Sequence, residues 1–360
     1  MSAAVRTPRD EARRVRVMVC DDSSTIRSLI ARVLETDPEI EIVASVANGA
    51  LAVETLKRIP ADVVLLDVEM PVMDGLTALP LLLQVDPSVR IIVASALTTA
   101  GAAIAIRAIQ AGAADCMHKP LANARETFAR DILARVLVLG RRKPAPRAVT
   151  AVIGQTPVSP IVLRPIGRRR PVLIAIGSST GGPQALFTLL GSLTRPLNQP
   201  IVITQHMPPL FTKSLAEHLA RIGHRPCVEA EDGMPLLANR VYVAPGDRHL
   251  LVEGEADRLV GRVVETPPEN SCRPSVDPML RSAVISCQGR VLTVILTGMG
   301  RDGAAGARAV VDAGGTVLAQ DEASSVVWGM PGAVAREGLC HAVLPLDRLA
   351  AKIVELAGVA

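Results

Sequence analysis

The side chains able to do chemistry stand where apolar runs end, and they fall into two groups. In the N-terminal third, Asp21 and Asp22 follow the run Val15 to Cys20, Asp67 follows Asp62 to Leu66, Ser95 follows Arg90 to Ala94, and Lys119-Pro120 follows Asp115 to His118. Three carboxylates gathered on one edge repel each other unless a hard divalent cation sits among them. Mg²⁺, which takes oxygen ligands, suits Asp21, Asp22 and Asp67. The same cation would offset the charge of a phosphoryl group at Asp67, with Ser95 and Lys119 binding its oxygens. A single strand-end Asp is often only a helix cap. The joint placement of five such groups is what points to phosphoryl chemistry.

The second group begins in LIAIGSSTGGPQALFTLL, Leu173 to Leu190. Four apolar residues enter a Gly-Ser-Ser-Thr-Gly-Gly turn and Pro183 opens an apolar-periodic segment, so the stretch reads as strand, tight turn, helix. The backbone N–H groups of such a turn can hold a ligand phosphate or, beside an activated serine, the oxyanion of an acyl-transfer intermediate. No Lys follows the second glycine pair, and the spacing is not G-x-G-x-x-G, which weakens the nucleotide reading. A nucleophilic serine needs a base and an orienting carboxylate. Of the six histidines only His206, in ITQHMPP, directly ends a strand-like run, and VLTVILTG leads through Met299 to Asp302. Ser179, His206 and Asp302 thus share the carboxyl edge of one sheet, as a triad requires. Each alone has an ordinary explanation: a turn serine, a satisfied histidine, a helix cap.

Those positions demand strands in regular alternation with helices. Strands are expected at 15–20, 40–46, 62–66, 90–94 and 115–118, with helices between them and a last helix at 127–139. After Ser23 or Ser24 as cap, Ile26, Leu29, Ile30, Val33 and Leu34 fall on one helical face. Five βα units make a doubly wound sheet, in which function collects at the carboxyl ends of the strands. Pro80 interrupts the third helix, expected near 76–85, at a cost of about 3 kcal/mol in a helix interior, so that helix starts late or is kinked. Residues 171–358 read as a second α/β domain, with strands at 172–176, 201–205, 240–244, 291–297 and 316–319. Residues 1–14 form a polar tail expected to be disordered, and 140–170 a basic Pro-rich linker, a mobile tether with short packed pieces. The expected fold is therefore α/β, with two doubly wound parallel-sheet domains at 15–139 and 171–358.

Composition agrees and excludes several functions. With 49% apolar residues and 1% aromatics, the cores must be packed by Val, Leu, Ile and Ala, which suits parallel sheets and not single-stranded nucleic-acid binding. Net charge is +4, but Arg141 to Arg170 holds eight Lys/Arg and no acid, so the remainder is net −4. The basic character belongs to the linker and marks no nucleic-acid partner. The six cysteines form no C-x-x-C pair, which argues for reduced thiols and against zinc. No apolar run approaches 18 residues, so no membrane insertion is expected, and a cytoplasmic location follows.

The N-terminal motifs, Asp21-Asp22, LLDVEMPVMDG around Asp67, Ser95 and Lys119-Pro120, resemble the receiver domain of bacterial response regulators, a flavodoxin-like fold. That resemblance implies Asp67 as phospho-acceptor, Ser95 and Lys119 as the phosphoryl switch, Mg²⁺ at Asp21, Asp22 and Asp67, and a histidine kinase as phosphodonor. Cys116 stands where such receivers often carry an aromatic switch residue. IGSSTGGPQAL, ITQHMPP, VYVAPGDRHLL, RPSVDPML, LTGMGRDGAAG and AQDEASSVVWGMP resemble, in order, the catalytic domain of the chemotaxis protein-glutamate methylesterase family, a Rossmann-like serine hydrolase.

By that resemblance the nucleophile is Ser179 and not Ser178, the base His206, the carboxylate Asp302, and the oxyanion donors Met299 with Thr180 nearby. No cofactor is implied at the esterase site. The implied reaction is hydrolysis of glutamate methyl esters on chemoreceptors, releasing methanol, with deamidation of receptor glutamines. The implied control is an unphosphorylated receiver that packs over the active-site edge and loosens on phosphorylation. Trp328 and Met330 are groove candidates, with core packing the alternative. A non-catalytic signalling adaptor is the competing reading, and a DNA-binding regulator the weakest.

Overall fold

The computed structural model describes residues 14–120, 125–141, 161–167 and 169–358. Residues 1–13 of the expected tail, and 142–160 with 168 of the expected linker, lie outside the described residues.

The N-terminal domain alternates β1 (Val15–Cys20), α1 (Ser24–Leu34), β2 (Ile40–Val46), α2 (Gly49–Leu56), β3 (Val63–Asp67), α3 (Gly75–Val85), β4 (Arg90–Ser95), α4 (Thr99–Gln110), β5 (Asp115–His118) and α5 (Arg125–Gly140). Its sheet has the order β2-β1-β3-β4-β5, with β1 parallel to β2 and β3, and β3 parallel to β4. Helices cover both faces of such a sheet, which is why β3, VVLLD, is apolar up to its last residue and buried throughout. Ser23 caps α1, as the sequence suggests, and Asn48 and Asp74 cap α2 and α3 in the same way. The Ile26 N–H donates to Ser23 Oγ at 3.3 Å, Leu51 N–H to Asn48 Oδ1 at 2.9 Å and Thr77 N–H to Asp74 Oδ1 at 2.7 Å. α3 begins at Gly75, ahead of Pro80, which lies inside the helix on its exposed side. A late start is therefore excluded. Gly75 is required there: a Cβ would stand 2.1 Å from the Asp67 carbonyl oxygen.

The second domain comprises β6 (Leu173–Ser178), α6 (Gly182–Ser192), β7 (Ile201–Gln205), α7 (Phe211–Ile222), β8 (Cys227–Glu229), β9 (Met234–Pro235), β10 (Val241–Val243), β11 (His249–Glu255), β12 (Arg258–Val264), α8 (Val276–Ser286), β13 (Val291–Ile295), α9 (Ala304–Asp312), β14 (Thr316–Gln320), α10 (Met330–Arg336), β15 (Ala342–Leu344) and α11 (Leu346–Ala357). Seven strands form one sheet in the order β15-β14-β13-β6-β7-β10-β8, and the pairs β13–β6, β6–β7, β13–β14 and β10–β7 are parallel. β6, β7, β13 and β14 are buried along their whole length. The chain leaves β6 toward β7 and returns to its other side as β13. The order therefore reverses at β6, and a crevice opens there at the carboxyl ends.

A second sheet departs from the sequence expectation. β9, β11 and β12 form a separate antiparallel sheet of order β11-β12-β9. Its strands mix charged and apolar residues and offer no buried run to read. Residues 161–167 of the expected linker pack on this domain: Arg164 N–H donates to the Cys340 carbonyl at 2.8 Å and Gly167 N–H to Thr316 Oγ1 at 3.0 Å. Tyr242, on β10 and 1% exposed, ties the small sheet to the large one. Its hydroxyl donates to the Pro235 carbonyl at 2.8 Å and accepts from Leu237 N–H at 2.9 Å. Tyr242→Phe leaves that N–H without its partner. The expected cost is about 1–3 kcal/mol, read as a lower denaturant midpoint at unchanged slope; an unmoved midpoint would show that solvent replaces the hydroxyl.

Candidate active site

The two carboxyl edges carry two clusters. On the first sheet the order reverses between β1 and β3, and Asp21 and Asp22 follow β1 while Asp67 closes β3. Their carboxylate oxygens lie within 4.8 Å of one another, with Asp21 and Asp67 buried and Asp22 exposed. Ser23 N–H donates to Asp21 Oδ1 at 2.9 Å and Glu69 N–H to Asp67 Oδ1 at 3.3 Å. An all-oxygen set of this spacing fits a small hard divalent cation. Ser95 ends β4, and its carbonyl accepts from Lys119 N–H at 2.8 Å, so the Lys119 backbone is held to the end of that strand.

On the second sheet, Ser179 follows β6, His206 follows β7, and Asp302 lies between β13 and α9. The register pairs Ser178 with Gln205, which places Ser179 and His206 side by side. His206 N–H donates to the Ser178 carbonyl at 3.1 Å and Ser179 N–H to the Thr297 carbonyl at 3.0 Å. Asp302 comes to His206 from across the switch point: His206 Nε2 donates to Asp302 Oδ2 at 2.8 Å. A carboxylate has only lone pairs to offer, so the proton must be on Nε2, and neutral His206 presents a lone pair at Nδ1. Cys272 Sγ lies 3.5 Å from Nδ1. Among the described residues no hydrogen bond joins Ser179 Oγ to the His206 ring.

Asp302 is not the cap of α9. Gly303 takes that position without a side-chain bond, and Asp302 points into the protein, 2% exposed. Its Oδ1 accepts from Asn270 Nδ2 at 2.8 Å, Ser275 Oγ at 2.8 Å, Gly303 N–H at 2.9 Å and Asp277 N–H at 3.2 Å; its Oδ2 accepts from Val276 N–H at 2.7 Å besides His206. Burial opposes the charge, but His206 and the Val276 and Ser275 donors outweigh it and hold the carboxyl down to about 2. Burial likewise opposes a charged imidazole. The Asp302 hydrogen bond and the Cys272 contact outweigh it and raise His206 to about 9. Asp277, whose Oδ2 accepts from the same Asn270 amide at 2.8 Å, is pushed up by its own burial.

Several of these partners carry no signal of their own in the sequence. Ser275 and Asp277 lie within RPSVDPML and Asn270 just before it, a motif readable as a motif but not as a set of donors to Asp302. Gln205 looks like one more strand residue. Its Nε2 donates to the Ser179 carbonyl at 2.9 Å, and its Oε1 accepts from Ser178 Oγ at 2.6 Å. Gly298 allows a close approach in the site, since a Cβ there would meet Met330 Sδ at 2.3 Å and Ser179 Cβ at 2.9 Å. Met330 is fully buried in the core, and Trp328 packs against that core while its Nε1 donates to the Gln320 carbonyl at 2.9 Å.

The sequence was compared with known families and structures. Residues 174–353 match the CheB methylesterase family model and residues 17–128 the response regulator receiver domain. A protein-glutamate methylesterase/protein-glutamine glutaminase of Rhodospirillum centenum is 51% identical over 370 residues, covering 95% of this chain and 94% of its own. Its namesake from Azospirillum brasilense is 51% identical over 358 residues, covering 93% and 91%. Among solved structures, the Thermotoga maritima CheB methylesterase catalytic domain is 41% identical, with a TM-score of 0.50 over 52% of this chain and 98% of that one.

The His206–Asp302 pair makes stability depend on pH in two windows. The raised His206 contributes fully below its ordinary value near 6.5 and loses the contribution as pH climbs through about 9. The lowered Asp302 contributes above its ordinary 3.8 and loses the contribution as pH falls through about 2. In Asp302→Asn the ring loses its carboxylate, and burial is then opposed only by the Cys272 contact. An NMR titration of the His206 ring should show its midpoint falling from about 9 by two units or more, roughly 2.7 kcal/mol; an unmoved midpoint would assign the shift to another group.

Proposed function

This chain belongs to the CheB methylesterase family, and we propose that it hydrolyses glutamate methyl esters on chemoreceptors, releasing methanol, under control of phosphorylation at Asp67. On this reading residues 15–139 are the receiver, 171–358 the hydrolase and 140–170 the segment that joins them, in a protein that works in the cytoplasm. The observation that carries it is the convergence at one sheet edge of a turn serine, a strand-end histidine and a buried carboxylate bonded to that histidine at 2.8 Å.

Ser179 is the nucleophile. Neutral His206 takes its proton at Nδ1, the nitrogen left after Nε2 is committed to Asp302, as Oγ attacks the ester carbonyl carbon. Asp302 keeps the ring in that tautomer and offsets the imidazolium charge. The oxyanion falls to backbone N–H groups. Met299 and Thr180 are our candidates, and among the described residues neither N–H donates to a protein acceptor. A donor of this kind contributes about 3–4 kcal/mol. Collapse breaks the C–O bond, and the imidazolium returns its proton to the leaving methoxide. Water then attacks the acyl-serine with His206 again as base, leaving free glutamate and Ser179. A glutamine side chain enters the same sequence with ammonia as leaving group, which accounts for deamidation.

In the receiver, Asp67 accepts the phosphoryl group from a histidine kinase, and Ser95 and Lys119 bind its oxygens. Asp21, Asp22 and Asp67 would hold Mg²⁺, which when bound offsets the charge of the incoming phosphoryl group. A modest coupling suffices for control, since about 1.4 kcal/mol changes a minor active population tenfold.

Methanol release from methylated receptor membranes tests both halves. Ser179→Ala is expected to lower kcat by roughly 10³-fold or more; release at the wild-type rate would remove Ser179 from its role. Adding a small-molecule phosphodonor with Mg²⁺ should raise the wild-type rate, and Asp67→Asn should keep the basal rate while losing the rise. A rise that survives in Asp67→Asn would place the control elsewhere.

A further inference from the structure

Hydrolysis as described leaves one partner of the base unused. Cys272 Sγ lies 3.5 Å from His206 Nδ1, the atom that must accept the Ser179 proton, while His206 Nε2 is bonded to Asp302 at 2.8 Å. In the neutral ring the proton is held on Nε2 and S–H donates to the Nδ1 lone pair; in the charged ring, favoured below about 9, Nδ1–H donates to the sulfur. Thiol, imidazole and carboxylate thus form a hydrogen-bonded chain in the order that activates nucleophiles.

The position is also accessible. Cys272 is half-buried, while the other five cysteines are buried, and burial pushes Cys20, Cys227, Cys287 and Cys340 up to about 12. The charged groups around the pair leave this chain as its main coupling. Asp277 reaches Asp302 through Asn270, Glu269 is paired with Arg281 at 2.7 Å, and Arg273 with Asp247 at 2.6 Å.

We propose that Cys272 is a modification site for soft electrophiles, activated by His206, and that occupying it closes the base nitrogen to Ser179. The blocking half rests on the reading of His206 as the esterase base; the reactivity of the thiol does not. With iodoacetamide as the probe, the Sγ electron pair attacks the methylene carbon, the S–C bond forms, the C–I bond breaks, iodide leaves and the thiol proton passes to Nδ1. The resulting thioether has no S–H and places a carboxamidomethyl group beside Nδ1.

The full-length chain treated with iodoacetamide near neutral pH, followed by peptide mass mapping and by methanol release in parallel, tests this. One fast label at Cys272, accumulating in step with loss of methanol release, is expected. Cys272→Ala should take no fast label and keep its own untreated rate through the treatment. In His206→Gln, with a wild-type circular dichroism spectrum, labelling of Cys272 should slow by about tenfold, since no imidazole nitrogen remains beside the sulfur to exchange its proton. Labelling spread over several cysteines, inactivation of Cys272→Ala at the wild-type rate, or unslowed labelling in folded His206→Gln would overturn the proposal. Labelling needs no turnover, so an untreated chain that releases no methanol would strike the hydrolase reading and leave the thiol result standing.

Discussion

A carboxylate taken out of water must be surrounded by donors or give up its charge, and the second domain is arranged around meeting that demand at Asp302. Six donors from four segments converge on its two oxygens: the ring of His206, the amide of Asn270, the hydroxyl of Ser275, and the N–H groups of Val276, Asp277 and Gly303. Three of these come from the start of α8, so the helix N-terminus adds its partial positive charge to the same spot. The result is a carboxylate that stays ionised while buried and so fixes the orientation and tautomer of one imidazole.

That arrangement depends on where the chain reverses direction in the sheet. β6 has β7 on one side and β13 on the other, so the segments after all three open toward a common crevice. Ser179, His206 and Asp302 are far apart in sequence and reach the crevice because each follows one of these strands. The N-terminal domain repeats the logic with β1 and β3, and places three acidic side chains where the second domain places a serine, a base and one acid. The same kind of sheet edge carries two different sets of side chains because the residues after the strands differ.

Close packing enforces the positions. The Ser179 turn is held through Thr297 and Gln205, and Gly298 lets the chain pass it at a distance no other residue permits. Thr297 is in turn bonded to the Gln320 side chain at the end of β14 and to the Thr180 carbonyl. Strands on both sides of the switch point therefore share one hydrogen-bond network, in which polar side chains at their ends bond to neighbouring strands.

The sequence by itself determines what is local. Apolar runs of four to six residues ending in Asp, Ser, His or Lys announce strands and mark the edge where chemistry can occur, and Ser23 announces a helix start, because caps and buried strands are dictated by neighbours a few residues away. Family resemblance adds which of two adjacent serines to favour. Only the tertiary structure decides the partners. Asp302 looks like a helix cap in sequence, but it turns inward because a loop some thirty residues earlier delivers Asn270, Ser275 and the start of α8 to it. Cys272 looks like a stray thiol until the same loop sets it against His206. The antiparallel sheet of β9, β11 and β12 is likewise invisible in a sequence without buried runs there. Hydrogen-bond geometry between distant segments is set by how sheets and loops pack, and no local propensity encodes it.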